Sequence, residues 1–359
     1  MRKFFPILTW LPQYRKEYLK GDLSAGLTVG VMLIPQGMAY AMIAGLPPIY
    51  GLYAAMMPQV IYSIFGTSRQ LAVGPVAMDS LLVATGISAM ATVGSENYIA
   101  LAILLALLMG LIQLAFGLFR FGFLVNFLSK PVISGFTFAA AFIIGFSQLR
   151  HLVGIKLTGG SSIIETVTEL ASRFSEINWL AFTIGIAGIL LIKNVKKIHK
   201  SIPGALAVVV LGILTVFLAK LNEKGVSIIG EIPAGMPTIA MPTWSWETAQ
   251  ELFPIALTLA LIAFMEAISV AKALHVNHKK EYQIDANQEL IALGISNIVG
   301  SFFSCYPTTG GFGRSAVNDQ SGANTNLAAI ISAIFVALAL LFFTPLFYYL
   351  PNAVLASII

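Results

Sequence analysis

The sequence predicts an all-α membrane protein built as an inverted repeat, and three observations carry that prediction. Of its 359 residues, 57% are hydrophobic and only 10% are charged, whereas ordinary soluble domains carry about 25% charged residues; the mean hydropathy is +0.85. Apolar runs of membrane-crossing length recur down the whole chain, which marks a polytopic protein rather than a soluble domain with one anchor. Two apolar stretches are broken in the same way at corresponding positions, LAVGPVAMDS (71–80) and PTTGGFGRSAVN (307–318). Each reads as a short extended piece, a glycine or proline break, and a helix. Backbone broken at membrane depth is tolerated only where it is buried in protein or lines a cavity. Paired broken segments are the pointer to an inverted-repeat transporter and its binding site.

The elements follow in order. Residues 1–20 are basic and interrupted by Pro6 and Pro12. They lack the apolar core and cleavage site of a signal peptide and read as a cytoplasmic segment lying on the membrane surface. Residues 23–34 form an apolar run expected to end at Pro35-Gln36-Gly37, with helix resuming over 38–44. A second span covers 47–65. After a turn holding Arg69 come an extended 71–74 and a helix from Pro75 to about 91; proline suits a first helical turn because its missing N–H would have no partner there. Spans are expected over 98–119 and 123–146, the latter kinked or divided at Pro131. Residues 161–174 read as an amphipathic interfacial helix, 179–192 and 202–221 as spans, and 222–250 as a polar connection. The plan then repeats: a long helix over 252–273 interrupted only by Glu266, Ser269 and Lys272, a span over 285–303, the broken 307–318, a span over 327–343, and a last segment from Pro345.

Basic residues set the orientation. Arg2, Lys3, Arg15, Lys16 and Lys20 precede the first span. Arg69, Arg120, the run 193–200, Lys272, His278, Lys279 and Lys280 fall on the same side if spans alternate, with Arg150 and Lys156 as exceptions. A cytoplasmic N-terminus follows, and a multi-pass place in a cell membrane, a bacterial inner membrane, is the expected localisation. The net charge of +5 lies in loops and gives no nucleic-acid surface. The single cysteine, Cys305, excludes a disulfide framework, and the four histidines show no metal-ligand spacing. No nucleophile elbow, zinc-protease helix or P-loop occurs, so neither an enzyme nor a cofactor is expected.

The chemistry concentrates at Arg314 and Glu266. A helix N-terminus carries roughly +0.5 of effective charge and free N–H donors, so two such ends and Arg314 suit an oxyanion. Glu266 is placed about fourteen residues into its helix, roughly 21 Å at about 1.5 Å per residue. An ionised carboxylate at the centre of a membrane costs about 3 kcal/mol unless it is paired or protonated. Glu266 is therefore a candidate proton site; the competing reading is a static Glu266–Arg314 ion pair that only holds two helices together. Asp22 and Asp79, near helix ends, read as capping or interface residues. Thr308 and Thr309 either satisfy backbone or face a cation.

The stretch DLSAGLTVGVMLIPQGMAYAMIAGLPPIYGLYAAMMPQVIYSIFGTSRQLAVGPVAMDSLL (22–82), GGFGRSAVNDQSGANT (310–325) and the closing LPNAVLASII resemble the SulP sulfate-permease family, and the likeness covers essentially the whole chain. The resemblance implies a 7+7 inverted repeat. Two short strands meet at mid-membrane, each feeding a helix whose N-terminus faces the anion. It implies a transport domain over 21–359, with a core of about 21–120 and 251–343 and a gate of about 121–221 and 344–359. It assigns Gln36 and Tyr40, four apart on one helix face, to the wall of the first helix, Ala77 to the start of the third, and Phe312, Gly313 and Arg314 opposite. Packing polarity is the plainer reading of Gln36 and Tyr40. The family continues through further gate helices into a STAS domain, so the second repeat reads as truncated and the gate as incomplete. Gly313 stands where the family commonly has serine. The implied function is secondary active transport of a small inorganic anion, with proton-coupled sulfate uptake first, by a protein that is a homodimer when full length. Sodium-coupled bicarbonate and dicarboxylate transport are alternatives within the family; a fixed cation at Arg314 opposes a sodium site. An anion channel is the alternative of another class, which a central carboxylate opposes.

Overall fold

The long apolar runs are helices, and some of them stop at a glycine, as Pro48–Phe65 does at Gly66. A computed structural model describes residues 4–126, 130–155, 163–198, 204–276, 278 and 282–359. Arg2, Lys3, Lys156, His199, Lys200, Lys279 and Lys280, which enter the orientation argument, lie outside the described residues, as does the start of the interfacial helix at 161–162. In chain order the elements are α1 (Ile7–Trp10), α2 (Tyr18–Ile43), α3 (Pro48–Phe65), β1 (Val73–Gly74), α4 (Ala77–Ile87), α5 (Glu96–Leu118), α6 (Lys130–Val153), α7 (Ile163–Ser172), α8 (Trp179–Ile198), α9 (Gly204–Ala219), α10 (Trp246–His275), α11 (Ala286–Phe302), β2 (Thr309–Gly310), α12 (Phe312–Gln320), α13 (Leu327–Leu338) and α14 (Asn352–Ile358). Among the described residues, α2, α5, α10 and the stretch Leu327–Phe347 that α13 opens are long and apolar enough to cross a membrane.

The order α2–α3–β1–α4–α5 recurs as α10–α11–β2–α12–α13. The two strands pair antiparallel, Val73 with Gly310 and Gly74 with Thr309, so the two copies of the plan run in opposite senses. This is the inverted repeat.

Several boundaries differ from expectation. The helix after the first strand runs Ala77–Ile87, so Pro75 stands before its Val76 cap and not in its first turn. Pro35 does not break α2, which runs through it to Ile43. Proline removes one helical hydrogen bond and crowds the preceding turn, but here Leu33, Ile34, Pro35 and Gly37 are buried and α2 packs against both α3 and α13, which holds the helix together. The stretch 123–146 is divided, one of the two outcomes expected near Pro131: a 3-10 turn, Phe121–Asn126, and α6 from Lys130 are separate elements, and 127–129 between them lie outside the described residues. The helix bearing Glu266 begins at Trp246, with Pro254 inside it, not at 252.

The chain divides into two units, Met1–Ser129 with Met236–Ala339, and Lys130–Gly235 with Leu340–Ile359. In the first, helices approach at glycines. A Cβ on Gly37 would lie 2.8 Å from the Gly51 carbonyl oxygen, and Cβ atoms on Gly110 and Gly294 would each lie 2.8 Å from the other's. Such backbone-close contacts are how helices gain packing energy where lipid removes the hydrophobic drive. Leu104, Leu105, Met109, Leu252 and Leu259 fill one apolar cluster, and Phe264, Ile268, Leu290 and Leu293 another.

Two buried carboxylates tie this unit's turns together. Glu289 accepts from the Tyr62 hydroxyl at 2.7 Å, the Thr67 N–H at 2.7 Å, the Thr67 hydroxyl at 2.6 Å and the Ser68 N–H at 3.1 Å. Asp22 accepts from the N–H groups of Asn324 at 2.7 Å and Thr325 at 3.0 Å and from the Thr325 hydroxyl at 2.6 Å. In the second unit α14 packs on α6, α8 and α9, and the Ile229 N–H donates to the Leu350 carbonyl at 2.9 Å.

Candidate functional site

The site is built where the two broken segments cross, wholly within the first unit. The strands are only two residues each, so each delivers its chain almost at once to a helix start. Neither start is capped by a side chain: Val76 and Gly311 hold the N-cap positions of α4 and α12 in extended backbone with no side-chain hydrogen bond. The first-turn N–H groups of both helices thus remain available, and a helix N-terminus with open N–H groups attracts anions. The two caps are neighbours, since a Cβ on Gly311 would touch Val76 Cγ2 at 3.5 Å.

Side chains pin this crossing. Ser315 Oγ accepts from the Ala72 N–H at 2.9 Å and donates to the Gly311 carbonyl at 2.7 Å, joining α12 to the residue before the first strand. Asn318 Nδ2 donates to the Gln70 carbonyl at 3.0 Å. Thr309 Oγ1 donates to the Ala263 carbonyl of α10 at 2.7 Å. Asn297 of α11 brackets Thr308, accepting from its N–H at 2.9 Å and donating to its carbonyl at 3.0 Å. Thr309 therefore satisfies backbone, whereas the Thr308 hydroxyl donates to the Asn297 side-chain oxygen at 3.2 Å.

Arg314 lies in the first turn of α12 and is 3% exposed. Its Nη1 donates to the Pro75 carbonyl at 2.5 Å, while Nε and Nη2 have no hydrogen-bond partner among the described residues. Glycine makes the room: a Cβ on Gly311 would stand 3.1 Å from Nη2, and one on Gly74 3.4 Å. A buried guanidinium with two unanswered donors is costly, and a planar oxyanion edge fits such a fork.

Tyr40, Glu266 and Tyr306 are the groups in electrostatic range of Arg314. The structure thus brings Tyr40 of α2, Glu266 of α10 and Arg314 of α12 together. Ala77 opens α4 one residue after its cap. Gln36, one turn before Tyr40, is half-buried with its Oε1 unpartnered among the described residues. Phe312 is 59% exposed, and a Cβ on Gly313 would meet nothing within 4 Å, so the start of α12 has room for a side chain there.

One competing reading fails and one expectation is corrected. Glu266 and Arg314 do not form a contact ion pair: no bridge between them falls within 4.0 Å. The guanidinium is held by the Pro75 carbonyl instead, and Glu266 Oε2 is buried without a partner among the described residues. Their interaction acts through space. Glu266 is also deeper in a longer helix than predicted, about 30 Å from the start of α10 and about 13 Å from its end at roughly 1.5 Å per residue. Second, Asp79 caps nothing. It is fully buried, and neither carboxylate oxygen has a partner among the described residues. The rule that singled out Glu266, an ionisable residue in an apolar span, applied equally to Asp79; its closeness to a helix start masked it. Tyr306, whose hydroxyl lies 3.1 Å from Ser80 Oγ, had no sequence signal beyond its place before the break.

The comparisons agree with this architecture. The model of the "Sulfate permease family" matches residues 19–359. Sulfate transporter 4.1, chloroplastic, of Arabidopsis thaliana is 43% identical over 99% of this chain and 52% of its own length. Human Solute carrier family 26 member 6 is 36% identical over 99% and 49%. The chain spans about half the length of these curated relatives. Among solved structures, the murine Solute Carrier 26 family member A9 anion transporter in the inward-facing state superposes with a TM-score of 0.90 at 29% identity, over 99% of this chain and 62% of that one. The transmembrane domain of the cyanobacterial bicarbonate transporter BicA superposes with a TM-score of 0.86 at 25% identity, over 96% and 88%. With the family match covering nearly every residue, and both strand-helix breaks inside it, the chain belongs to the sulfate permease family.

Proposed function

We propose that the chain is the transport domain of a secondary active transporter that imports sulfate together with protons. The observation that carries the reading is the buried Arg314 fork, with Nε and Nη2 unpartnered among the described residues, beside two helix starts without side-chain caps. Two helix ends supply about +1 and Arg314 another unit. With Glu266 ionised the site sums to about +1; with Glu266 protonated it sums to about +2, which matches sulfate. Sulfate and proton then bind with positive linkage, because each weakens what opposes the other.

In this reading Gln36, Tyr40, Ala77, Phe312, Gly313 and Arg314 bind the anion and Glu266 carries a proton. The core spans about 21–120 and 251–343, the gate about 121–221 and 344–359, and the N-terminus is cytoplasmic, in a homodimer of the full-length protein. The likeness to BicA favours one second reading, sodium-coupled bicarbonate uptake. Glu266→Gln tests the choice: accumulation of labelled sulfate in an inward proton gradient should fall steeply. An unchanged response to that gradient would remove Glu266 from the mechanism.

A further inference from the structure

We propose that Asp79 is a second proton carrier of this site, so that two protons accompany each sulfate and import moves no net charge. The inference rests on the reading of Glu266 as the first carrier.

The molecule itself supplies the contrast. Its structural buried carboxylates are saturated: Glu289 accepts from four donors and Asp22 from three. Asp79 is equally buried, yet neither of its oxygens has a partner among the described residues. Buried polar groups are almost always paired, and an exception needs a cause. A group that must gain and lose a proton at each cycle is such a cause, since fixed donors would hold it ionised.

Its surroundings are those of the anion site. Asp79 occupies the first turn of α4. From α10, Glu266 is the charged group acting on it; the Tyr306 hydroxyl, from the segment before β2, is also in range. Tyr40 of α2 and Arg314 of α12 interact with Glu266 and complete the group. The neighbouring α5 offers Tyr98, whose hydroxyl is engaged by the Ala44 carbonyl at 2.8 Å, and no charged residue over 97–118.

The charge count then closes at both ends of the cycle. With Asp79 and Glu266 both ionised, the carboxylates offset two helix ends and Arg314, and the empty site is near neutral. With both protonated the site is about +2 and takes a divalent anion to neutrality. Two protons from outside form two carboxyl O–H bonds; both bonds break on the inside as sulfate leaves. A single proton would leave one net negative charge to be moved inward against an inside-negative potential.

The test is the proton-to-sulfate stoichiometry of the full chain in proteoliposomes, read as the sulfate accumulation ratio at equilibrium. That ratio does not depend on how fast a variant turns over. At clamped zero potential a ten-fold inward proton gradient should hold about a hundred-fold sulfate accumulation in the wild type and about ten-fold in Asp79→Asn. A potassium-diffusion potential should leave the wild-type ratio unchanged and shift that of Asp79→Asn. A wild-type ratio near ten-fold, or an Asp79→Asn ratio equal to that of the wild type, overturns the proposal. A hundred-fold wild-type ratio that falls in Asp79→Asn but not in Glu266→Gln supports Asp79 and refutes the reading of Glu266 instead. The wild-type measurement alone decides the stoichiometry should Asp79→Asn fail to fold.

Discussion

Replacing Arg314 by alanine removes the one fixed cation of the site among the described residues and has a magnitude that can be worked from the structure. Nη1 is committed to the Pro75 carbonyl at 2.5 Å, so Nε and Nη2 are the donors left for an anion. A hydrogen bond to a charged group contributes about 1.5–3 kcal/mol, so two of them contribute about 3–6 kcal/mol. At about 1.4 kcal/mol per decade, Arg314→Ala should weaken sulfate binding by roughly two to four orders of magnitude. Arg314→Lys keeps the charge but offers a point ammonium in place of a planar fork; losing one of the two bonds places it about one to two orders below the wild type. The assay is sulfate affinity of the purified full chain by calorimetry, with thermal unfolding measured in parallel because the Pro75 bond is lost as well. An alanine variant that folds and binds sulfate within ten-fold of the wild type would refute the argument.

Two further perturbations follow from the same geometry. Gly311→Ala places a methyl 3.1 Å from Arg314 Nη2; the guanidinium must shift by a few tenths of an ångström, and sulfate affinity should drop by about ten-fold or more, since misplaced charge-assisted bonds are weakened. Glu289→Ala strips the acceptor from four donors between α3, its following turn and α11; thermal unfolding in detergent should report a loss on the order of 2–4 kcal/mol, and an unchanged melting temperature would show that the turn is held by other contacts.

The fold was largely legible because membrane spans announce themselves by composition and the breaks by glycine and proline. The repeat, its two extended pieces and the Arg314 helix are legible in 71–80 and 307–318; that the extended pieces pair as strands came from the family resemblance. Pro35 misled because its effect depends on packing: α2 is held on two sides by α3 and α13, which no local rule records. The competing Glu266–Arg314 pair fails for a related reason. Opposite charges in apolar spans suggest contact, yet the Pro75 carbonyl, freed by the break before α4, takes the guanidinium first. Asp79 was hidden by its position at a helix start, where a carboxylate is ordinarily a favourable companion of the helix dipole; only the absence of a partner on either oxygen among the described residues distinguishes it.

The most direct test of proton-driven sulfate import is labelled sulfate uptake into proteoliposomes of the full chain under imposed gradients. Accumulation above the outside concentration is expected when an inward proton gradient is applied, and none when only an inward sodium gradient is applied. Accumulation driven by sodium and indifferent to protons would contradict it and place the bicarbonate-type mechanism first.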